Sequence, residues 1–383
     1  MNILAAGMET HLLVGLAVAV AFSIAVLLFS AFQNSRYLLL ICLACAAAYY
    51  QRAFVGFLLV NAITYACLCG LDRQASRARR WTWACVVLIL LVAAFTAGRL
   101  LYWGDTRLWF GSVSLAVFTL DMWMALRLLT IIWEVGSCAV PLPSVSRFIV
   151  WSCLPLTLTG PILRYSQMPP VLCVARSLWT SAAWWRDIAA GAFKLIAGFG
   201  LPVAQRMLST RWPQAHLWTS ATTVLFIGPV GFYLTYAGYY QLMETLGRPS
   251  GVKLPVSFNS PLGRENISAF WMNWNMTATH VFRDYLFYNR WGFRTYNVYL
   301  NTMILFLLMG LWHAANAYWL LFGFLHGLLF CSFLLWRKYN HRLDRLPLRG
   351  TPVARTAART LTYLCVCACW YVPSKILQTL AVV

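Results

Sequence analysis

The chain has 383 residues, of which 61% are hydrophobic and only 10% are charged. In soluble domains about a quarter of all residues are charged, so this composition excludes an ordinary soluble protein. The net charge of +20 would favour nucleic acid for a soluble protein, but loop arginines and lysines set the topology of membrane proteins, so we expect no nucleic-acid partner.

Apolar runs long enough for membrane helices recur along the chain, since a perpendicular span needs roughly 20 residues. The first, 12–31, is too long for a signal-peptide core and predicts an uncleaved span. The pattern predicts ten or eleven helices in a single all-α, polytopic membrane domain over 1–383. The runs are 12–33, 37–50, 53–71, 81–97, 109–135, 148–163, 188–208, 219–241, 297–312, 317–336 and 360–382.

Two short loops concentrate positive charge. The loop 71–80 has four arginines, and the loop 337–359 has seven basic residues. The positive-inside bias predicts that both face the cytoplasm. Basic loops also attract anionic lipid headgroups or a phosphate-bearing donor.

One apolar run carries charges inside it. The stretch "FTLDMWMALRLLTIIWEVG" contains Asp121, Arg127 and Glu134. Arg127 and Glu134 are seven residues apart and therefore share a helix face. Two interpretations stay open, a buried network that locks helices together and the lining of a tunnel.

The segment 245–296 is too polar to span a membrane, yet it is rich in aromatic residues. Irregular backbone at membrane depth persists only where protein buries it or where it lines a wet cavity. We therefore predict re-entrant or interfacial helices here. This segment includes "FWMNWNMTATHVFRDYLFY", which holds Asn275, Arg283 and Asp284.

Two histidines lie in the next stretch, "MGLWHAANAYWLLFGFLHG". An ionisable side chain in a membrane segment is a functional candidate by default. His313 and His326 are thirteen residues apart and point to different sides of a helix, so we predict no shared metal site. For His326, a neutral hydrogen-bonded role and a functional role stay open. The twelve cysteines also lack zinc-like spacing.

Read together, these stretches resemble the membrane-bound O-acyltransferase family. The resemblance covers roughly 155–330, and its order and spacing are more specific than any single motif. Upstream, "TGPILRY" is similar to the family's GPxxR motif and "SFNSP" to its FNxP stretch. The matching residues downstream are Phe270, Trp271, Trp274, Asn275, Arg283, Asp284, Tyr285, Gly310, Leu311, Trp312, His313, Leu325, His326 and Gly327.

The resemblance implies a ring of helices around a central tunnel and acyl transfer from a thioester to a hydroxyl. His313 matches the family's catalytic histidine and Asn275 its partner position. Bacterial members that acylate envelope polymers, of the alginate O-acetyltransferase and D-alanyl-transfer type, usually carry histidine where this chain has Asn275. Asparagine there is typical of members that acylate lipids, sterols or peptides, so the acceptor stays open.

The same resemblance implies the partners and the location. We expect no bound cofactor, an acyl-CoA or an acyl-carrier protein as the donor, and a short acyl group such as acetyl. The acceptor is a hydroxyl of an envelope glycan or a lipid, and other envelope-modification subunits are further partners. The expected location is the bacterial inner membrane, in contact with membrane lipids.

The chemistry also follows from the residue types. A hydroxyl is a weak nucleophile, and a positioned histidine base is worth roughly 10² to 10⁴ in rate. An amide donor such as Asn275 would stabilise the thioester oxyanion, worth roughly 10² to 10³. It would otherwise orient His313 or bind unwound backbone. The sequence contains no nucleophile elbow, which favours direct transfer.

The other candidates are tunnel or structural residues. Adjacent Arg283 and Asp284 point about 100° apart on a helix, so each is expected to hold a neighbouring element, with Arg164 as a partner for Asp284. Trp274, Trp312 and His326 complete this set.

Two other functions are kept as alternatives. One is a transporter or exporter of acyl or glycan units, which the lack of an internal repeat disfavours. The other is a non-catalytic partner in an envelope-polymer complex.

Overall fold

The computed structural model describes residues 2–28, 35–103, 109–110, 113–114, 122–169, 176–211, 223–287, 297–339 and 351–380. These residues form thirteen α-helices, and the predicted all-α class is confirmed. In the same ranges, the strands are one two-residue antiparallel pair, Trp109–Phe110 with Val113–Ser114. The helices are α1 (Asn2–Leu28), α2 (Ser35–Tyr50), α3 (Phe54–Asp72), α4 (Arg77–Trp103), α5 (Met122–Gly136), α6 (Val145–Ser152), α7 (Ala182–Arg211), α8 (Phe232–Gly247), α9 (Ile267–Trp271), α10 (Met276–Val281), α11 (Val298–His313), α12 (Ala317–Tyr339) and α13 (Pro352–Thr379).

The helix lengths and composition are those of a polytopic membrane protein. Five helices are long and apolar enough to cross a membrane, and three shorter apolar helices accompany them. The five are Phe54–Asp72, Arg77–Ala97, Ala182–Arg211, Ala317–Tyr339 and Pro352–Thr379; the shorter ones are His11–Val26, Tyr37–Tyr50 and Val298–His313. Each predicted apolar run overlaps one helix. The number of crossings and the tunnel stay predictions.

Two apolar runs are helical over only part of their length. In the run 109–135, the helix begins at Met122, and most of the preceding residues lie outside the described ranges. In the run 148–163, α6 ends at Ser152, and a 3₁₀ turn, Pro155–Thr157, follows. Proline has no backbone N–H and clashes with the preceding turn, so Pro155 and Pro161 prevent the helix from continuing.

The polar segment 245–296 contains short helices, and their re-entrant or interfacial position stays a prediction. It forms a 3₁₀ turn at Pro261–Gly263, then α9, α10 and a π-helical stretch, Phe282–Phe287. Residues 288–296 lie outside the described ranges.

The chain divides into two compact units that alternate along the sequence. One comprises Met1–Ala189 with Tyr240–Pro255, and the other comprises Ala190–Tyr239 with Val256–Val383. A single membrane-embedded domain stays a prediction.

In the first unit, the buried charges of α5 bind the chain that follows α6. Arg127 is 1% exposed and donates from Nη1 to Thr157 Oγ1 at 2.8 Å. Glu134 accepts the backbone N–H of Ser166 at 3.1 Å and its hydroxyl at 2.5 Å. These contacts support the interpretation of a network that locks structure. Asp121 lies outside the described residues.

Candidate active site

His313 ends one arm of a tight helical hairpin. It is the last residue of α11, and the chain leaves the helix at the extended Ala314. Asn316 then accepts the N–H of Trp319 through Oδ1 at 3.0 Å, a cap for the first turn of α12. The two helices approach closely, since a Cβ on Gly310 would meet the backbone carbonyl of Trp319.

The imidazole of His313 is held by indole rings. Its ring stacks on Trp319, with centroids 4.3 Å apart and planes 14° apart, and lies 4.6 Å from the ring of Trp312. His313 is half-buried. The C-terminal end of a helix carries partial negative charge and favours a cation nearby. His313 occupies this end of α11.

Asn275 lies in a left-handed turn between α9 and α10. Its φ and ψ are 38° and 54°, a region in which asparagine and histidine are enriched among non-glycine residues. Backbone hydrogen bonds hold the chain on both sides of it. The N–H of Met276 donates to the carbonyl of Ser257 at 2.7 Å, and the N–H of Asn259 donates to the carbonyl of Asn273 at 3.1 Å.

The side-chain amide of Asn275 is half-buried. Its Oδ1 accepts a 3.4 Å hydrogen bond from the hydroxyl of Thr277. Within the part of the chain that the structure describes, its Nδ2 has no hydrogen-bond partner. An amide N–H donor is therefore available at a fixed backbone position.

An aromatic cluster extends from His313 to the segment that carries Asn275. We define it as Phe232, Trp274, His313, Trp319, Phe322 and Trp370, all in the second unit. From His313 the ring centroids are 6.4 Å to Phe322, 5.3 Å on to Trp370, 4.9 Å on to Phe232 and 6.1 Å on to Trp274. Trp274 precedes Asn275 directly. A shared tunnel stays a prediction.

His326 lies deeper in the same unit. It is 0% exposed, and its ring is 5.0 Å from that of Trp271, which meets it edge-on, and 4.4 Å from that of Phe322. Trp312 packs edge-on against Phe282 at 5.8 Å. Both residues therefore join the hairpin to the segment that carries Asn275. Within the described residues neither ring nitrogen of His326 has a hydrogen-bond partner, so the structure does not show the hydrogen-bonded role.

Arg283 and Asp284 pair with each other. Arg283 Nε lies 2.7 Å from Asp284 Oδ1, and the two side chains are 31% and 32% exposed. This differs from the expectation that each would hold a different element. The stretch is π-helical rather than α-helical, and the long arginine side chain folds back onto its neighbour. At this exposure the pair contributes little to stability.

Arg164 lies in the first unit, in the stretch similar to GPxxR. Its backbone N–H donates to Gln167 Oε1 at 3.1 Å. Neighbouring Tyr165 lies under the guanidinium of Arg147, 5.6 Å from its ring centroid. The pairing of Arg164 with Asp284 stays a prediction, since Asp284 belongs to the second unit.

No group of three or more histidine, cysteine or acidic side chains within the described ranges is placed to hold a metal ion. The candidate site offers an imidazole at a helix end and a side-chain amide in a fixed turn.

This helical membrane-type chain is similar in sequence to bacterial acyltransferases. The predicted resemblance is therefore confirmed. It is 28% identical over 217 residues to the peptidoglycan O-acetyltransferase of Helicobacter pylori, a match over 52% of this chain and 39% of the relative. It is 24% identical over 242 residues to the teichoic acid D-alanyltransferase of Bacillus subtilis, over 59% and 60% of the two chains.

A third relative is the probable alginate O-acetylase of Pseudomonas putida, 32% identical over 125 residues that make up 32% of this chain and 24% of that protein. The match therefore spans less than two thirds of each of these relatives. No family model matches the chain. All three relatives are acyltransferases by name, as the resemblance predicted.

Sequence reasoning missed the residues that hold the turn at Asn275. Ser257 and Asn259 fall inside the "SFNSP" stretch, but no local pattern indicates that they bond to residues 273–276. Arg264, which also binds this turn, has no periodic signal at all.

Proposed function

We propose that this chain is a multipass membrane O-acyltransferase. It moves a short acyl group from a thioester donor to a hydroxyl, with His313 as the general base and Asn275 as the oxyanion donor. The observation that carries the proposal is an aromatic cluster that contains both His313 and Trp274, the chain neighbour of Asn275, with a half-buried imidazole at a helix end and an available amide N–H.

The reaction balances with these two groups. The acceptor oxygen attacks the thioester carbonyl carbon while its proton passes to the imidazole of His313. Asn275 Nδ2 donates to the carbonyl oxygen as it becomes negative. The intermediate then collapses, the carbon–sulfur bond breaks, and the imidazolium returns its proton to the leaving thiolate. Pre-aimed donors of this kind act mainly on the transition state.

The names of the relatives support an envelope polymer as the acceptor class. They specify peptidoglycan, teichoic acid and alginate as substrates of those proteins, with acetyl or D-alanyl as the group transferred. We propose a hydroxyl of an envelope glycan or lipid for this chain, with acetyl as the first group to test. The donor is coenzyme A or a carrier protein.

The proposed location is the bacterial cytoplasmic membrane. The donor thioester is made in the cytoplasm, so its entrance opens on the side of the basic loops, which attract phosphate at short range. The acceptor reaches His313 from the other side. Further envelope-modification subunits are proposed partners.

A thiol-release assay tests the proposal. Purified protein in lipid nanodiscs is given acetyl-CoA or an acetylated carrier protein, with and without glycan or lipid acceptors, and free thiol and acylated acceptor are both measured. His313→Ala should lower transfer by roughly 10² or more, as expected for a lost base. His11→Ala, which removes an exposed histidine from α1, is the matched control.

Normal transfer by the His313→Ala protein would refute the assignment of the base. A wild-type protein that, in sealed lipid vesicles, moves acyl groups across the membrane without acylating any acceptor would favour the transporter alternative. Acylation that requires another subunit and is insensitive to His313 would favour a non-catalytic partner.

A further inference from the structure

The turn that carries Asn275 is clamped to an earlier stretch of the chain. Ser257 accepts the N–H of Met276, and Asn259 donates its N–H to the carbonyl of Asn273, so these two bonds bracket Asn275. Ser257 is 0% exposed. A residue other than glycine in the left-handed conformation costs conformational energy, and the conformation persists only where the surrounding structure fixes it. The clamp supplies that restraint.

One arginine joins the two sides of the clamp. Arg264 Nη2 donates to the carbonyl of Asn259 at 2.5 Å and to Asn273 Oδ1 at 3.0 Å. The same Asn273 side chain donates from Nδ2 to the carbonyl of Ala269 in α9, at 2.8 Å. The guanidinium, the amide and the two backbone segments thus form one continuous hydrogen-bonded unit.

The charge makes these bonds strong. Hydrogen bonds from an ionised donor are roughly twice as strong as neutral ones. A guanidinium also presents several donors in a fixed plane, so that it reaches two acceptors at once, which a lysine ammonium does less well. Its loss would free both Asn259 and Asn273, the residues whose backbones meet beside Asn275.

We propose that Arg264 is a positioning residue, which acts through the clamp to hold the Asn275 amide where it donates to the reacting carbonyl oxygen. This inference rests on the proposed acyl transfer. The hydrogen bonds of the clamp do not depend on that proposal. The proposed role differs from that of Asn275. Asn275 touches the reacting carbonyl oxygen, whereas Arg264 acts only through its bonds to the turn.

The kinetic test is a double-mutant cycle. Arg264→Ala should lower kcat by about 10-fold to 10²-fold, the cost of a catalytic group displaced by about an ångström, with little change in the KM for the donor. Asn275→Gly should cost more. The double variant should be no slower than Asn275→Gly alone, because groups that act as a unit are not additive. Arg264→Lys should restore part of the rate.

A control and a second measurement make the test decisive. Arg248→Ala removes an exposed arginine that pairs with Asp187 at 2.6 Å and lies outside both basic loops, and it should leave kcat unchanged. Hydrogen exchange at the amides of Asn259 and Met276 should quicken in Arg264→Ala and stay slow in Arg248→Ala.

The outcomes separate the two proposals. Unchanged exchange in Arg264→Ala would overturn the clamp whatever the activity. Faster exchange with losses that multiply in the double variant would overturn the positioning role. A wild-type protein that transfers no acyl group would refute the proposed function, while the exchange experiment would still decide whether Arg264 holds the turn.

Discussion

Replacing Asn275 separates the chemistry of its amide from the conformation of its backbone. Glycine removes the amide and adopts the left-handed conformation without strain. Alanine removes the amide and also carries a Cβ at φ 38° and ψ 54°, which costs about 1–2 kcal/mol. Histidine, like asparagine, is enriched in this region and keeps a ring N–H donor.

The magnitudes predict two separable effects. Loss of one oxyanion donor costs roughly 10² to 10³ in kcat, or about 2.7–4 kcal/mol. Asn275→Gly and Asn275→Ala should therefore share the same rate loss, whereas Asn275→Ala should melt at a lower temperature than Asn275→Gly. Asn275→His should melt like the wild type and keep more activity than Asn275→Gly.

The assay combines thiol release with thermal unfolding in the same nanodiscs. Rates at saturating donor give kcat, and the melting temperature reports the backbone strain. Activity of Asn275→Gly within a few-fold of the wild type would refute the oxyanion role. Equal melting of the glycine and alanine variants would refute the strain estimate.

Three further predictions concern packing and topology. Gly160→Ala should lower the melting temperature, because φ is +85° and a Cβ would meet the Tyr240 hydroxyl; unchanged melting would contradict it. Gly310→Ala should lower both stability and kcat, because its Cβ would meet the Trp319 carbonyl and overpacking costs about 1–3 kcal/mol; unaltered activity would show that the hairpin does not set the position of His313. A single cysteine placed in the connection 73–76 between α3 and α4 should resist impermeant thiol reagents in intact cells, and labelling there would reverse the proposed orientation.

The sequence predicted those parts of the fold that depend on local composition. Every apolar run overlaps a helix because a run of apolar residues in lipid must satisfy its own backbone. The pattern failed where prolines intervene, as at Pro155, after which the chain is no longer α-helical although it stays buried.

The site was predictable in its residue types but not in its supports. The motifs indicated His313 and Asn275 as candidates. The α-helical spacing of 100° per residue did not predict the pairing of Arg283 with Asp284, because this stretch is π-helical. Arg264 was missed because its partners are fixed by backbone pairing between two irregular segments. Such pairing leaves no periodicity in the sequence.

The left-handed turn at residue 275 also limits how this position can change over generations. Most side chains would meet a steric penalty there, so the accessible replacements are few: glycine, aspartate, histidine and asparagine. Asparagine and histidine codons differ by a single base. A single base change therefore exchanges one hydrogen-bond donor for the other at a backbone conformation that both residues adopt.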